Sequence, residues 1–129
     1  MKEKKILLLN DLDHKNFERI EKKISNRNVA TFYQIASIFN FTELQIFSLC
    51  YIERCFRMVF KKKNYKILGF AQIARIISSS KLHIDSEMEV INAIDIWISY
   101  DSKERSKFAR RLLSKVRLNL LSIDALKNF

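Results

Sequence analysis

The sequence predicts an all-α domain, a compact multi-helix array of antiparallel helix pairs. Proline is absent and glycine occurs once, at Gly69, whereas hairpins and tight strand connections lean on those two residues. Apolar residues recur at helical spacing along most of the chain. Ser86 with Glu89 forms an S-x-x-E capping box at the head of one such stripe, the signature of a helix N-terminus. The 129 residues are 48% hydrophobic, which suits one domain with a packed core.

The elements follow in order. Residues 1–12 start with lysines and reach only Ile6 to Leu9 as an aliphatic run, too short to define a helix. Over 13–24, Phe17, Ile20 and Ile24 fall at i, i+3 and i+7, an amphipathic helix. Asn28 is expected to cap the next one, where Val29, Phe32, Tyr33 and Ala36 share a face. Asn40-Phe41 marks a break, and Thr42 with Gln45 reads as a second capping box. The helix behind it, over 43–60, carries Leu44, Ile46, Phe47, Leu49, Ile52, Phe56 and Val59. Apolar groups around so much of its circumference predict a central helix packed on more than one side. Lys61 to Lys63 end it, cations complementing the dipole, and Tyr65 to Gly69 reads as an irregular connection. A short helix over 70–78 turns Phe70, Ile73, Ile76 and Ile77 inward. The Ser86 helix runs to about Tyr100 with Val90, Ile91, Ile94, Trp97 and Ile98 as its stripe. Asp101 with Glu104 predicts another capped start, followed by Phe108, Ala109, Leu112, Leu113 and Val116. A last short helix is expected from Ser122, with Ile123 and Leu126 packing back.

Composition also excludes functions. With a single glycine, neither a phosphate-cradling loop nor a nucleophile elbow can be built. Cys50 and Cys55 lie about 140° apart on a helix and read as two buried, reduced thiols. His14 and His83 make no metal-ligand spacing. No run approaches the roughly eighteen apolar residues of a membrane span, and the N-terminal apolar run is too short for a signal peptide. No cofactor, metal or catalytic residue is expected. Trp97, amid an apolar stripe, reads as packing rather than as a ligand pocket.

The stretch Leu82 to Trp97, LHIDSEMEVINAIDIW, with Asp101, Arg105 and VRLNLLS over 116–122, resembles the BACK domain of BTB-kelch proteins. Asn28-Val29, Phe32 to Ala36, Asn40 to Leu44 and Tyr51 to Phe56 extend the resemblance over residues 26–126. Cys55 stands where the family commonly has asparagine, and Gly69 and Asn119 where it commonly has proline. Those two connections are therefore expected to be less rigid here. The resemblance implies a BACK domain over 28–129, with the three-box helix pair over 28–60. Residues 1–27 form an N-terminal segment, of which 13–24 could imitate the last BTB helix. The 27 residues before Asn28 are too few for a BTB domain, and none follow Phe129 for kelch blades of about fifty residues. An excised domain, a truncated product or a stand-alone BACK-like protein is expected.

The function that the resemblance implies is architectural. The chain would be a non-catalytic adaptor domain that contributes to cullin binding and positions a substrate for ubiquitination. The cullin-facing residues are expected among Phe32, Tyr33, Phe39, Phe41 and Phe47, since aromatics anchor interface centres. Most aromatics on a helical stripe belong to the core, and Phe41, in a turn, is expected to be the most exposed. The alternative is a basic helical nucleic-acid-binding domain. Net charge is +10, and Lys103, Lys107, Arg110, Arg111 and Lys115 run along one side of a predicted helix. No base-reading polar set accompanies them, and a solvated basic face is commoner. A monomeric, intracellular protein is expected, cytoplasmic or nuclear, that does not engage a membrane.

Overall fold

A computed structural model describes residues 14–62 and 64–117, and every described regular element is helical. In chain order these are α1 (His14–Lys23), α2 (Val29–Phe39), α3 (Thr42–Arg54) and α4 (Phe56–Lys61). A 3-10 turn (Asn64–Ile67) leads to α5 (Phe70–Ile77) and then α6 (Glu87–Ser99). The described chain finishes with α7 (Ser102–Arg105), a 3-10 turn (Ser106–Phe108) and α8 (Ala109–Leu113). Both Lys63 and the last helix expected from Ser122 lie outside the described residues.

Helices α2 and α3 form the most extensively packed pair, joined by the short link Asn40-Phe41. Asn40 takes the left-handed conformation, φ 58° and ψ 37°, which asparagine tolerates better than most residues. The amides of Asn40 and Phe41 both donate to Ala36 O, closing the end of α2. Leu44, Ser48 and Ile52 of α3 are buried, as are Val29, Ala30, Tyr33 and Ala36 of α2. Helix α3 also meets α1 and α5, so it is packed on several sides. Phe17 of α1 sets its ring edge-on to Phe47 of α3, 5.9 Å between centroids at 89°, a favoured aromatic geometry. Beyond Cys55, Phe56 stacks on Phe60, Phe60 meets Tyr65, and Tyr65 meets Tyr100 edge-on. That aromatic chain fastens α4 and the first 3-10 turn to the end of α6.

Trp97 is 1% exposed and does more than fill volume. Its indole Nε1 donates to Leu68 O at 2.9 Å. Arg105 lays its guanidinium over the indole, 4.2 Å from the ring centroid. The same guanidinium donates to Trp97 O at 2.8 Å and to Lys66 O at 2.7 Å. Two elements far apart in sequence, the 64–68 turn and the α6–α7 corner, are thereby locked together. Burial pulls the Arg105 pKa below the usual arginine value, opposed by the nearby Asp101 carboxylate. Gly69, next in the chain, has φ −78° and ψ 173°, angles that proline also adopts. Its N–H, however, donates to Gln34 Oε1 at 3.0 Å. A hydrogen bond thus ties down a position where a ring would constrain the backbone.

The capping box at Ser86 forms as expected. Ser86 Oγ accepts from Met88 N–H, while Glu89 accepts from the amides of Ser86 and Asp85. Glu89 also meets Arg57 of α4 at 2.6 Å, and Arg57 reaches Asp85 at 2.8 Å. The hydrogen bond from Arg57, reinforced by the two backbone amides, holds the Glu89 carboxyl below the usual glutamate value despite partial burial. Glu53 is buried and accepts from Ser79 Oγ, while its backbone O accepts from His83 N–H. Glu87 is 5% exposed and meets Arg117, which also donates to Ser79 O. These bonds, with Leu82 and Ile84 packed against the core, seat the 78–86 connection.

Several expectations need correction. The helix expected over 43–60 is broken at Cys55, whose φ −112° and ψ 25° leave the helical basin. The buried i+4 row Leu44, Ser48, Ile52, Phe56, Phe60 would rotate by about 160° along a straight helix; the bend keeps it facing the core. Thr42 and Gln45 form no capping box, because Phe41 holds the N-cap position without a side-chain cap. The link is so short that Thr42 already belongs to the first turn. Asn28 does hold the N-cap of α2, yet its side chain turns back to Ser25 N and Lys23 O. It therefore bridges α1 to α2. Asp101 likewise caps with its backbone carbonyl, and the helix after it passes through a 3-10 turn. The connection at 64–67 is a regular 3-10 turn with Tyr65 buried. Cys50 is exposed and Cys55 half-buried, both free, rather than two buried thiols.

Removing the indole by Trp97→Ala should cost about 3–5 kcal/mol in denaturant unfolding; a parent-like midpoint would contradict its core role. A second expectation concerns pH. Because the folded state depresses the Glu89 pKa, its contribution is complete above the ordinary glutamate value of about 4.3 and fades as pH falls through the lower folded value. Glu89→Gln should therefore be less stable than the parent at neutral pH and should lose less stability on acidification below that value. Parallel stability–pH curves would show that Glu89 does not act this way.

Candidate protein-interaction surface

Where α2 ends and α3 begins, apolar side chains come to the surface. Ile38 is 60% exposed and Phe39 42%, and Ile46, one turn into α3, is 59% exposed. Phe39 and Phe41 face each other across Asn40, 6.2 Å between ring centroids at 37°. The left-handed Asn40 reverses the chain so tightly that the residues flanking it cannot all point inward. Exposed apolar groups gathered in one place are the usual mark of an interaction site.

The five aromatics named from the sequence separate into three groups. Phe39 is the most exposed, and Phe41 is half-buried against it, the reverse of the expected order. Phe32 and Phe47 are half-buried, Phe47 against Phe17. Tyr33 is 2% exposed; its ring belongs to the core, so the surface consists of the others. Burial raises the Tyr33 phenol above the usual tyrosine value, partly offset by Arg75. Ile38 and Ile46 were not singled out from the sequence. Their neighbours supplied the signal: Ile38 adjoins the Asn40 break, and Ile46 falls off the Leu44–Ser48–Ile52 row.

Beside this edge, between α3 and α5, runs a groove of about 690 Å³. Tyr33, Ile46 and Leu49 give it apolar walls, and Arg75 and Lys115 line it with charge. The basic residues expected on one helical side are all exposed. The 3-10 turn at Ser106–Phe108 interrupts that side. Lys107 is drawn off by Glu104 at 3.4 Å and by the Phe108 ring, 5.3 Å to its centroid. Among the described residues, no three His, Cys, Asp or Glu side chains are grouped to hold a metal ion. None of the described helices is long and apolar enough to cross a membrane.

The described residues form an all-helical domain with apolar side chains exposed at the α2–α3 turn. The family description "BACK: BTB And C-terminal Kelch" matches residues 29–129, and the chain belongs to that family. It is 32% identical over 116 residues to Kelch-like protein 2 of Homo sapiens, covering 90% of this chain and 20% of that protein. Kelch-like protein 28 of Homo sapiens is 30% identical over 107 residues, 83% of this chain and 19% of the relative. Kelch repeat and BTB domain-containing protein 3 of Mus musculus is 26% identical over 108 residues, 84% and 18% respectively. The chain thus spans about a fifth of the length of these relatives.

Burial separates the aromatics in a testable way. Tyr33→Ala should cost about 3–5 kcal/mol of stability, whereas Phe39→Ala should stay within about 1 kcal/mol of the parent. Equal melting losses for the two variants would show that Phe39 is packed as deeply as Tyr33.

Proposed function

We propose that the chain is a non-catalytic scaffold domain of a BTB-kelch-like protein, contributing to cullin binding and holding a substrate-reading domain at a fixed place for ubiquitination. The observation that carries this reading is the exposed pair Ile38 and Phe39, with the half-buried Phe41 ring beside Phe39, at the turn of the α2–α3 pair. On this reading the BACK domain covers 28–129, the pair over 28–60 is the three-box segment, and residues 1–27 precede it. Its partner is the cullin scaffold of a ubiquitin ligase, contacted through Phe32, Phe39, Phe41 and Phe47 rather than the buried Tyr33. Family membership supports the reading, as do relatives whose names join BTB and kelch elements. The protein works inside the cell, in cytoplasm or nucleus, as a monomer needing no cofactor. Ubiquitin transfer asks such a domain for position rather than chemistry, and helices locked at both ends supply position.

Titration calorimetry with the N-terminal region of a cullin tests it. Binding should be micromolar or weaker, because a BTB domain would contribute most of the contact area. It should disappear in a Phe39→Ala, Phe41→Ala double variant that melts like the parent. Binding of equal strength in that variant would reject the surface.

A further inference from the structure

We propose that the groove between α3 and α5 docks an acidic peptide segment of a partner protein, anchored by an aliphatic or aromatic side chain. It lies on a different face of α3 from the Phe17–Phe47 contact. Ile46 and Leu49 point into the groove, while Phe47 lies about 100° around the helix from Ile46 and about 160° from Leu49. The α3 wall of the groove is therefore a different face from the Phe47 contact, and neither Phe39 nor Phe41 lines it, although Ser37 and Thr42 bring one end of it to the α2–α3 turn.

The lining has an apolar body and a charged rim of one sign. Ile46 is more than half exposed and the half-buried Leu49 continues the apolar surface, while Tyr33, almost wholly buried, also lines it. Arg75 and Lys115 are exposed, and among the described residues neither has an acidic partner. No aspartate or glutamate is among the lining residues. The hydroxyls of Ser37 and Ser78 are engaged by the carbonyls of Tyr33 and Ala74. Recognition therefore falls to the two cations, the apolar walls and the side chains of Thr42, Gln45 and Gln72. A volume of about 690 Å³ lies within the usual range for binding clefts and suits a few side chains of an extended segment.

Charge identifies the occupant. Residues 1–13 carry Lys2, Lys4 and Lys5 against Glu3, Asp11 and Asp13, and residues 118–129 carry Lys127 against Asp124. Neither of these segments carries the net negative side-chain charge that the two exposed cations call for. A second copy of a +10 chain is repelled at long range, whereas an acidic partner is steered in.

The test uses the whole chain, labelled with ¹⁵N, and a capped hexapeptide, acetyl-Glu-Asp-Leu-Phe-Asp-Glu-amide. Amide shifts should move at Ser37, Ile46 and Arg75. Arg75→Glu or Lys115→Glu should weaken binding about fivefold or more, the effect of about 1 kcal/mol. A peptide with lysine at each acidic position should not bind. The Phe39→Ala, Phe41→Ala variant should bind the peptide as the parent does, which keeps this result separate from the cullin titration. No shift at about 1 mM peptide overturns the proposal. So do shifts confined to residues 103–111, or nuclear Overhauser contacts from the Ile46 and Leu49 methyls to residues 118–129.

Discussion

One constraint organises the molecule: the Trp97 indole must be buried, and its N–H must then find an acceptor. Leu68 O is that acceptor, and a carbonyl can be delivered there only if the 64–68 turn is folded against α6. Arg105 completes the arrangement. It covers the indole and donates to the carbonyls of Lys66 and Trp97, charge-assisted bonds that join the turn to the α6–α7 corner. Arginine suits the position because its flat fork can stack and donate in two directions at once. The apolar stripe of α6 thus becomes more than a greasy surface. It is keyed in place by polar bonds that tolerate only one arrangement.

The remaining polar contacts repeat this logic at smaller scale. Arg57 connects α4 to the capping box of α6 through Glu89 and Asp85. Glu53, Ser79, Arg117 and Glu87 seat the one long connection against α3. Gln34 reaches from α2 to the Gly69 amide just ahead of α5. Each bond joins elements that the apolar core already brings near, and each removes freedom that hydrophobic contact alone leaves. Such bonds select one arrangement among those that apolar packing alone would allow. The α2–α3 turn is different. Its tight reversal at Asn40 leaves Ile38 and Phe39 outward, and their exposure is the by-product of that reversal.

Local signals in the chain were read well and distant ones poorly. The Ser86 box, the Asn40 break and the α6 stripe are encoded by residues within a few positions of one another, and each is present in the fold. Neither Thr42 nor Asp101 makes a side-chain cap: Thr42 already lies in the first turn of α3, and Asp101 at its N-cap position caps with its backbone carbonyl. The break at Cys55 and the 3-10 turn at Ser106 were invisible because they serve the direction of rows that face other elements. The Arg105–Lys66 bond spans 39 residues, and the Arg117–Ser79 bond spans 38. No periodicity carries such pairings. For the same reason Tyr33 and Phe39, similar in the sequence, end in opposite environments: one faces α3 and the other lies past its reach.

The dependence of the fold on the tryptophan–arginine lock is measured most directly by a double-mutant cycle. Trp97→Phe removes the indole N–H and narrows the stacking face, Arg105→Lys keeps the charge but loses the fork, and the two are combined in a third variant. Unfolding in denaturant should give a coupling energy of about 0.5–3 kcal/mol, as for residues sharing one network. Losses that simply add, within about 0.3–0.5 kcal/mol, would mean that the two side chains act separately and that the fold does not depend on their union.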